Sequence, residues 1–185
     1  LGGDLVDLPG KLARDAALSL LQPIARAGVA AEVWGVVGTP YHVGPDGSED
    51  RQIYQELGAA KHTSHMHRLI VDGRRLWWSH HGAGLGVDAA SGLHNTAKKI
   101  WAACREHEWN APSLVVTHHV HHAIRDHGYY RGVQVAVTPC WQLPDDYTAK
   151  RNTWSAPTIG YLVWWPATDK LQWRTFPIPE SLLYG

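Results

Sequence analysis

Four histidines occur within residues 118 to 122, directly after the apolar run LVV at residues 114 to 116. Imidazole rings placed so close together repel one another whenever two are protonated, so the crowding has a cost at mildly acid pH. A divalent metal ion lowers that cost because binding keeps the rings neutral, and neutral imidazole is a good ligand for zinc, manganese or iron. The cluster therefore indicates metal chemistry.

Other polar residues gather at the same kind of place, where a predicted strand gives way to a loop. They are Asp4 after two glycines, Thr39 and His42 after a strand ending at Gly38, and His80 and His81 after the run LWWS. In open α/β sheets, the loops at the carboxyl ends of strands converge on one crevice. We therefore expect a carboxylate and several imidazoles from four loops to meet, with Asp4 able to bridge two ions about 3.5–4 Å apart.

The other histidines are interpreted more simply. A lone histidine is more often a surface or hydrogen-bonded core residue than a ligand, and this reading is preferred for His62, His65, His67, His94, His107 and His127. Within the clusters, the ligand reading is preferred for His81, His119 and His121, and the structural reading for His80, His118 and His122.

The elements that must position these residues alternate between helix and strand at first and are mostly strands later. Apolar spacing predicts a helix over 9–28, kinked or restarted at Pro23, a second from Ser48 to Gly58 and a third over 94–107. A hairpin around Asp72-Gly73 is predicted over 65–79. Further strands are predicted in AEVWGVVG, SLVVT, VQVAVTP, TIGYLVWWP and LQWRTF. This order predicts a mixed α/β sandwich.

Length and composition predict one globular domain over residues 1–185. Apolar residues make up 44% of the 185 residues and charged residues 18%, which excludes a disordered chain. Lys plus Arg and Asp plus Glu number 17 each, so overall charge indicates neither nucleic-acid nor membrane affinity. The sequence contains no apolar run long enough to span a membrane, and Cys104 and Cys140 are interpreted as reduced thiols, so we expect a cytoplasmic protein.

The polar clusters resemble, in order and position, the motifs of the calcineurin-like metallophosphoesterases. That family carries Asp-x-His, Gly-Asp, Gly-Asn-His, a single His and Gly-His-x-His, each at a strand end. Gly3-Asp4 matches the second motif, residues 38–42 occupy the place of the third, His81-Gly82 matches the fourth and residues 118–121 match the fifth. The stretches GTPYHVG, SHHG, HHVHH and TPCWQL look like a branch found in bacteriophage and prokaryotic genomes. The resemblance covers about residues 1–165.

This resemblance implies a mixed-sheet sandwich flanked by helices and two divalent metal ions (Mn, Zn, Fe or Mg). It implies Asp4 as the bridging ligand, His81 and His119 as ligands of one ion and His121 as a ligand of the other. Thr39 stands where the family has its asparagine ligand. His42 stands two residues from the family's catalytic histidine, whose role is to protonate the leaving oxygen or steady the phosphate.

Three features depart from the family pattern. The hydroxyl of Thr39 is a poorer ligand than an amide oxygen, His118 replaces a glycine, and Asp-x-His is absent. Because that motif lies on the family's first strand, we expect an amino terminus truncated before Leu1 and a sheet that lacks this strand.

The resulting prediction is a metal-dependent phosphoesterase that cleaves phosphodiester bonds, nucleic acids included, with a water activated by two metal ions. His80 and His122, with Arg125 or Arg131, are candidates for lining the phosphate pocket. Two alternatives remain open. One is a non-catalytic member of the same fold that binds metal or serves as a scaffold, and the other is a mononuclear zinc hydrolase that uses His81, His119 and His121.

Overall fold

The computed structural model describes residues 11–26, 32–38, 48–59, 66–80, 89–118, 128–138 and 159–176. The chain divides into two compact units. The first comprises Leu1–His67 with Trp78–His81, and the second comprises Arg68–Trp77 with Gly82–Gly185. The prediction of one domain over the whole chain stays a prediction.

Two helices form most of the described part of the first unit. Helix α1 spans Lys11–Arg26 and continues through Pro23, and helix α2 spans Ser48–Glu56. As predicted, α2 begins at Ser48 and ends before Gly58, whose φ of 70° is easily adopted by glycine. The two helices pack through an apolar cluster of buried and half-buried residues, namely Ala17, Leu18, Leu21, Val37, Ile53 and Leu57.

Residues 32–38 differ from the predicted strand. In the described part of the chain this segment has only a single bridge residue, Trp34, and no strand. Two of its backbone groups are hydrogen-bonded to side chains of α2: Tyr54 Oη donates to the Val36 carbonyl at 2.8 Å, and the Gly38 amide donates to Asp50 Oδ2 at 2.8 Å. The apolar, β-branched pattern correctly indicated burial, since residues 35–38 are buried.

A five-stranded mixed sheet has the order β1-β2-β3-β5-β4. Its strands are β1 (Met66–Val71), β2 (Arg74–Ser79), β3 (Leu114–Thr117), β4 (Gly128–Tyr130) and β5 (Val133–Val137). Strands β3 and β5 are parallel, whereas β4 and β5 are antiparallel.

Two tight hairpins contribute to this sheet. Asp72 and Gly73 join β1 to β2 with φ values of 47° and 76°, which is the left-handed geometry that Asp-Gly predicts. Arg131 and Gly132 join β4 to β5 with φ values of 48° and 86°. The second hairpin was not predicted, because arginine is not a residue typical of the first position of such a turn.

Helix α3, Ala89–Glu106, packs against β4 and β5. Buried residues of α3, β3 and β5 form the core between the helix and the sheet, namely Leu93, Ala97, Val115, Val133, Val135 and Val137. A Cβ atom at Gly128 would meet the backbone of Leu93, so α3 and β4 approach each other more closely than any other residue at this position would permit.

No helix in the described ranges is long and apolar enough to cross a membrane.

A second layer is formed by the antiparallel strands β6 (Ile159–Trp165) and β7 (Lys170–Phe176). The turn between them contains a one-turn 3-10 helix, Pro166–Thr168, and Asp169 at φ 51°. The hairpin contacts β5 at both ends of that strand: Gln134 Nε2 donates to the Asp169 carbonyl, and Trp173 Nε1 donates to the Val137 carbonyl, each at 3.2 Å. The predicted mixed α/β architecture is confirmed.

Candidate functional site

Strands β3 and β5 end level with each other. Thr117 pairs with Val137 in the parallel ladder, and the Thr138 amide donates to the Thr117 carbonyl at 3.1 Å. One residue further on, His118 Nδ1 lies 2.6 Å from Thr138 Oγ1, so the two strand ends are also tied by side chains. The described ends of β3 and β5, at residues 118 and 138, therefore lie side by side at the carboxyl edge where α/β sheets place their sites.

Thr117 contributes an unusual polar group at this edge. Its side chain is fully buried, and its Oγ1 makes no hydrogen bond in the part of the chain that the structure describes. A buried hydroxyl without a partner is uncommon in a packed interior, where almost all polar atoms are paired.

Two other predicted loops begin in the first unit, each from a buried residue. Gly38, which precedes Thr39, is held by its hydrogen bond to Asp50, a carboxylate with no exposed surface. His80, which follows β2 and precedes His81, is 2% exposed. Gly38 and His80 are therefore buried residues at which two described segments end.

Comparison with solved structures bears on the fold. An archaeal phosphodiesterase superimposes with a TM-score of 0.50 and 10% identity, over 87% of this chain and 76% of its own. The fold is calcineurin-like. Two structures of Vps29 from Entamoeba histolytica, a single mutant and the wild-type protein complexed with zinc, give TM-scores of 0.48 and 0.47 at 11% identity. They cover 86% and 92% of this chain and 89% and 90% of their own. No protein-family model and no curated protein matches the sequence.

The candidate site residues predicted from the sequence lie outside the described residues. They are Asp4, Thr39, His42, His81, His119 and His121. The structure describes the end of β3, which His119 and His121 follow in the sequence. Within the described ranges no group of three His, Cys, Asp or Glu side chains could hold a metal ion. The prediction that these ligands meet stays a prediction, as do the truncated amino terminus and the phage branch.

Arg131, one of two candidates for the phosphate pocket, lies away from the candidate edge. It lies in the turn before β5, whereas the candidate edge follows the other end of that strand. Its guanidinium carbon lies 4.6 Å from the centroid of the Trp101 ring, in a cation–π contact on α3. The chain reverses direction between β4 and β5, and this places Arg131 at the end of β5 opposite the candidate edge.

Three other residues match their simpler interpretations. His94 and His107 are exposed on or just after α3, and each contacts an aromatic ring, Tyr130 and Trp109 respectively. Cys104 is a buried free thiol. Burial raises the pKa of Cys104, and the positive charge of Arg68 opposes that shift in part. This thiol therefore stays protonated at neutral pH and is unsuited to nucleophilic chemistry.

Proposed function

We propose that this protein is a metal-dependent phosphoesterase that hydrolyses phosphodiester bonds. The observation that carries the proposal is the shared end of β3 and β5, tied by His118 and Thr138. His119 and His121 follow this edge directly in the sequence, and we assign their loop to the same edge of a calcineurin-like fold. The cytoplasmic location predicted from the sequence is kept as part of the proposal.

The chemistry of the candidate donors fits divalent ions. Asp4, His81, His119 and His121 would hold two ions, with Thr39 at a weaker position. Within the described ranges the buried hydroxyl of Thr117, close to His119 in the sequence, has no hydrogen-bond partner, which agrees with a polar centre at that edge. When bound, two such ions supply a water of lowered pKa and neutralise charge on the phosphoryl group.

The remaining roles belong to residues of the chain itself. His42 protonates the leaving oxygen, since alkoxide is a poor leaving group unless a proton arrives as the bond breaks. Arg125 binds the non-bridging phosphate oxygens, for which the planar guanidinium offers paired N–H donors. His122 is retained as a further contact to the phosphate, whereas His80 is buried and has no such role in the proposal.

The test compares two histidine variants of the full chain. We expect the wild type with Mn²⁺ to hydrolyse bis(p-nitrophenyl) phosphate, and His119→Ala to lose at least about a hundredfold in turnover together with bound metal. His107→Ala is the matched control, because His107 is exposed and stacks on Trp109 at a centroid distance of 4.8 Å. It should retain wild-type activity and metal content, both measured on the same preparations.

Three results would separate the alternatives. Full metal content in His119→Ala contradicts the ligand assignment. Metal-replete wild type without turnover on any phosphodiester supports the non-catalytic scaffold. Activity with one zinc ion per chain, unchanged when Asp4 is replaced by Asn, supports the mononuclear hydrolase.

A further inference from the structure

The outer face of the β6–β7 hairpin exposes three aromatic rings. Tyr161, Trp165 and Phe176 are 48%, 40% and 47% exposed. The pairing of Tyr161 with Arg174 and of Trp165 with Lys170 places these side chains on one face, because side chains alternate along a strand. We name this set, with Gln172 between the two pairs, the aromatic face. Large exposed rings gathered on one surface are typical of a binding site.

The charge on the aromatic face is positive. Each of two rings lies across the ladder from a cation, and the Lys170 ammonium is 5.6 Å from the centroid of the Trp165 ring. The described strands of the hairpin contain no carboxylate. Asp169, in the turn, is engaged by Arg74 at 3.2 Å and does not neutralise the face.

We propose that the aromatic face binds single-stranded nucleic acid. Bases stack on Tyr161 and Trp165, while Arg174 and Lys170 neutralise phosphates, a combination that sheet surfaces use for unpaired strands. The two rings are four residues apart on β6, or about 13 Å, which suits two or three unstacked bases. Gln172 offers both a donor and an acceptor to a base edge, which favours nucleic acid over a lipid surface.

The hairpin also points the bound strand towards the candidate edge. Residues 169 to 173 of the hairpin run alongside residues 134 to 137 of β5, as the hydrogen bonds at each end show. The Tyr161–Arg174 pair therefore lies towards the Val137 end of β5, which is the candidate edge. A strand on this face would lead to that edge, so the substrate of the reaction would be single-stranded; this last step rests on the proposed function.

The first test is binding of a fluorescein-labelled 12-nucleotide oligo(dT) by the full chain, followed by anisotropy in EDTA and low salt. Tyr161→Ala should weaken binding about tenfold or more, as expected for one lost stacking contact. Tyr129→Ala is the matched control, because Tyr129 is 55% exposed on β4 of the other sheet. It should bind within about twofold of wild type.

The second test concerns charge. Because each neutralised phosphate of a single strand contributes about −0.7 to the slope of log K against log salt concentration, Arg174→Gln should reduce the magnitude of the slope by about 0.7. Arg105→Gln, which removes an exposed cation on α3, should leave the slope unchanged.

Equal affinity of wild type and Tyr161→Ala would overturn the proposal, as would equal affinity for a duplex of the same length. It would also fall if the chain bound anionic vesicles but no oligonucleotide, or if Tyr161→Ala instead abolished self-association. Working in EDTA separates the two proposals. Oligonucleotide binding without hydrolysis contradicts only the proposed function, and hydrolysis of the small diester without oligonucleotide binding contradicts only this inference.

Discussion

Two segments that precede predicted loops differ in their hydrogen-bond partners, which are side chains for one segment and backbone groups for the other. Residues 32–38, which lead to Thr39 and His42, are hydrogen-bonded to the side chains of Asp50 and Tyr54. Strand β3, which leads to His119 and His121, is held by a backbone ladder to β5. The same contrast appears at two glycines, since a Cβ at Gly35 would meet the Tyr54 ring, and a Cβ at Gly128 would meet the Leu93 backbone.

The difference bears on how each segment tolerates substitution. A hydrogen bond made by a side chain can be removed by substituting that one residue. A clash with a side chain can likewise be relieved by replacing that side chain with a smaller one. Backbone hydrogen bonds do not depend on the identity of any one side chain. A clash with backbone atoms therefore cannot be relieved by substituting a neighbouring residue. The first unit should therefore show strong coupling between paired substitutions, and the second unit little.

The largest effect is expected at Gly128. Gly128→Ala should lower the free energy of unfolding by about 4 kcal/mol or more, because the new methyl group overlaps the backbone of α3. Denaturant unfolding followed by circular dichroism measures this loss. Gly132→Ala is the control, since φ there is 86° but nothing lies within 4 Å of the added Cβ, and it should cost only about 1 kcal/mol.

Paired variants turn this result into a comparison of the two units. Gly35→Ala should be partly rescued by Tyr54→Ala, with a coupling energy of at least about 1 kcal/mol in a double-mutant cycle. Leu93→Ala should give no such rescue of Gly128→Ala, because the overlapping atoms belong to the backbone. Comparable coupling in both cycles would contradict the distinction.

The next effect is expected at Asp50. Asp50→Ala should destabilise the chain by about 2–3 kcal/mol, because it removes a buried carboxyl acceptor and leaves the Gly38 amide without this partner. Asp50→Asn keeps an acceptor oxygen and should lose clearly less. Thermal or chemical unfolding of both variants provides the measurement, and equal losses would show that the hydrogen bond to Gly38 is unimportant.

A smaller effect concerns Cys104 and pH. Burial raises its folded-state pKa above the ordinary value of 9.0, so the folded state favours the protonated thiol. Its contribution to stability is therefore complete below pH 9 and declines as pH rises through the folded-state pKa, by at most about 1.4 kcal/mol per pH unit. Unfolding free energies between pH 8 and pH 10 should fall more steeply for wild type than for Cys104→Ala. Parallel pH profiles would contradict this.

The smallest effect is expected at Thr117. Thr117→Val replaces a buried hydroxyl that has no hydrogen bond in the described ranges with a methyl group of similar size. The free energy of unfolding should change by no more than about 0.5 kcal/mol, or rise slightly, because no bond is lost and a desolvated polar atom is removed. A loss above about 1 kcal/mol, measured by denaturant unfolding, would mean that the hydroxyl is hydrogen-bonded in solution.

Local signals predicted much of the secondary structure. Asp72-Gly73 between two apolar runs correctly indicated a hairpin, and the glycine at residue 58 correctly marked the end of α2. Such signals act within a few residues, so they can be read from a short stretch of chain. The turn at Arg131-Gly132 was missed because its first residue adopts the left-handed region without the usual residue type.

The candidate site was predictable in part. The pattern of apolar run followed by histidines placed His118 at a strand end, and the structure confirms that β3 ends at Thr117. That β5 ends beside it, with Thr138 bonded to His118, involves residues twenty positions apart and no local pattern. No local sequence pattern predicted the position of Arg131 at the opposite end of β5 either.

The sequence by itself determined most of the helices, strands and turns, because helix periodicity, apolar runs and Gly-containing turns depend on neighbours along the chain. Only the tertiary structure decided that residues 32–38 depend on side chains of α2, that β3 lies beside β5, and that the hairpin turns Tyr161 and Trp165 outward. The physical reason is that hydrogen bonds and packing select partners by proximity in space, and that proximity arises only once distant segments pack together.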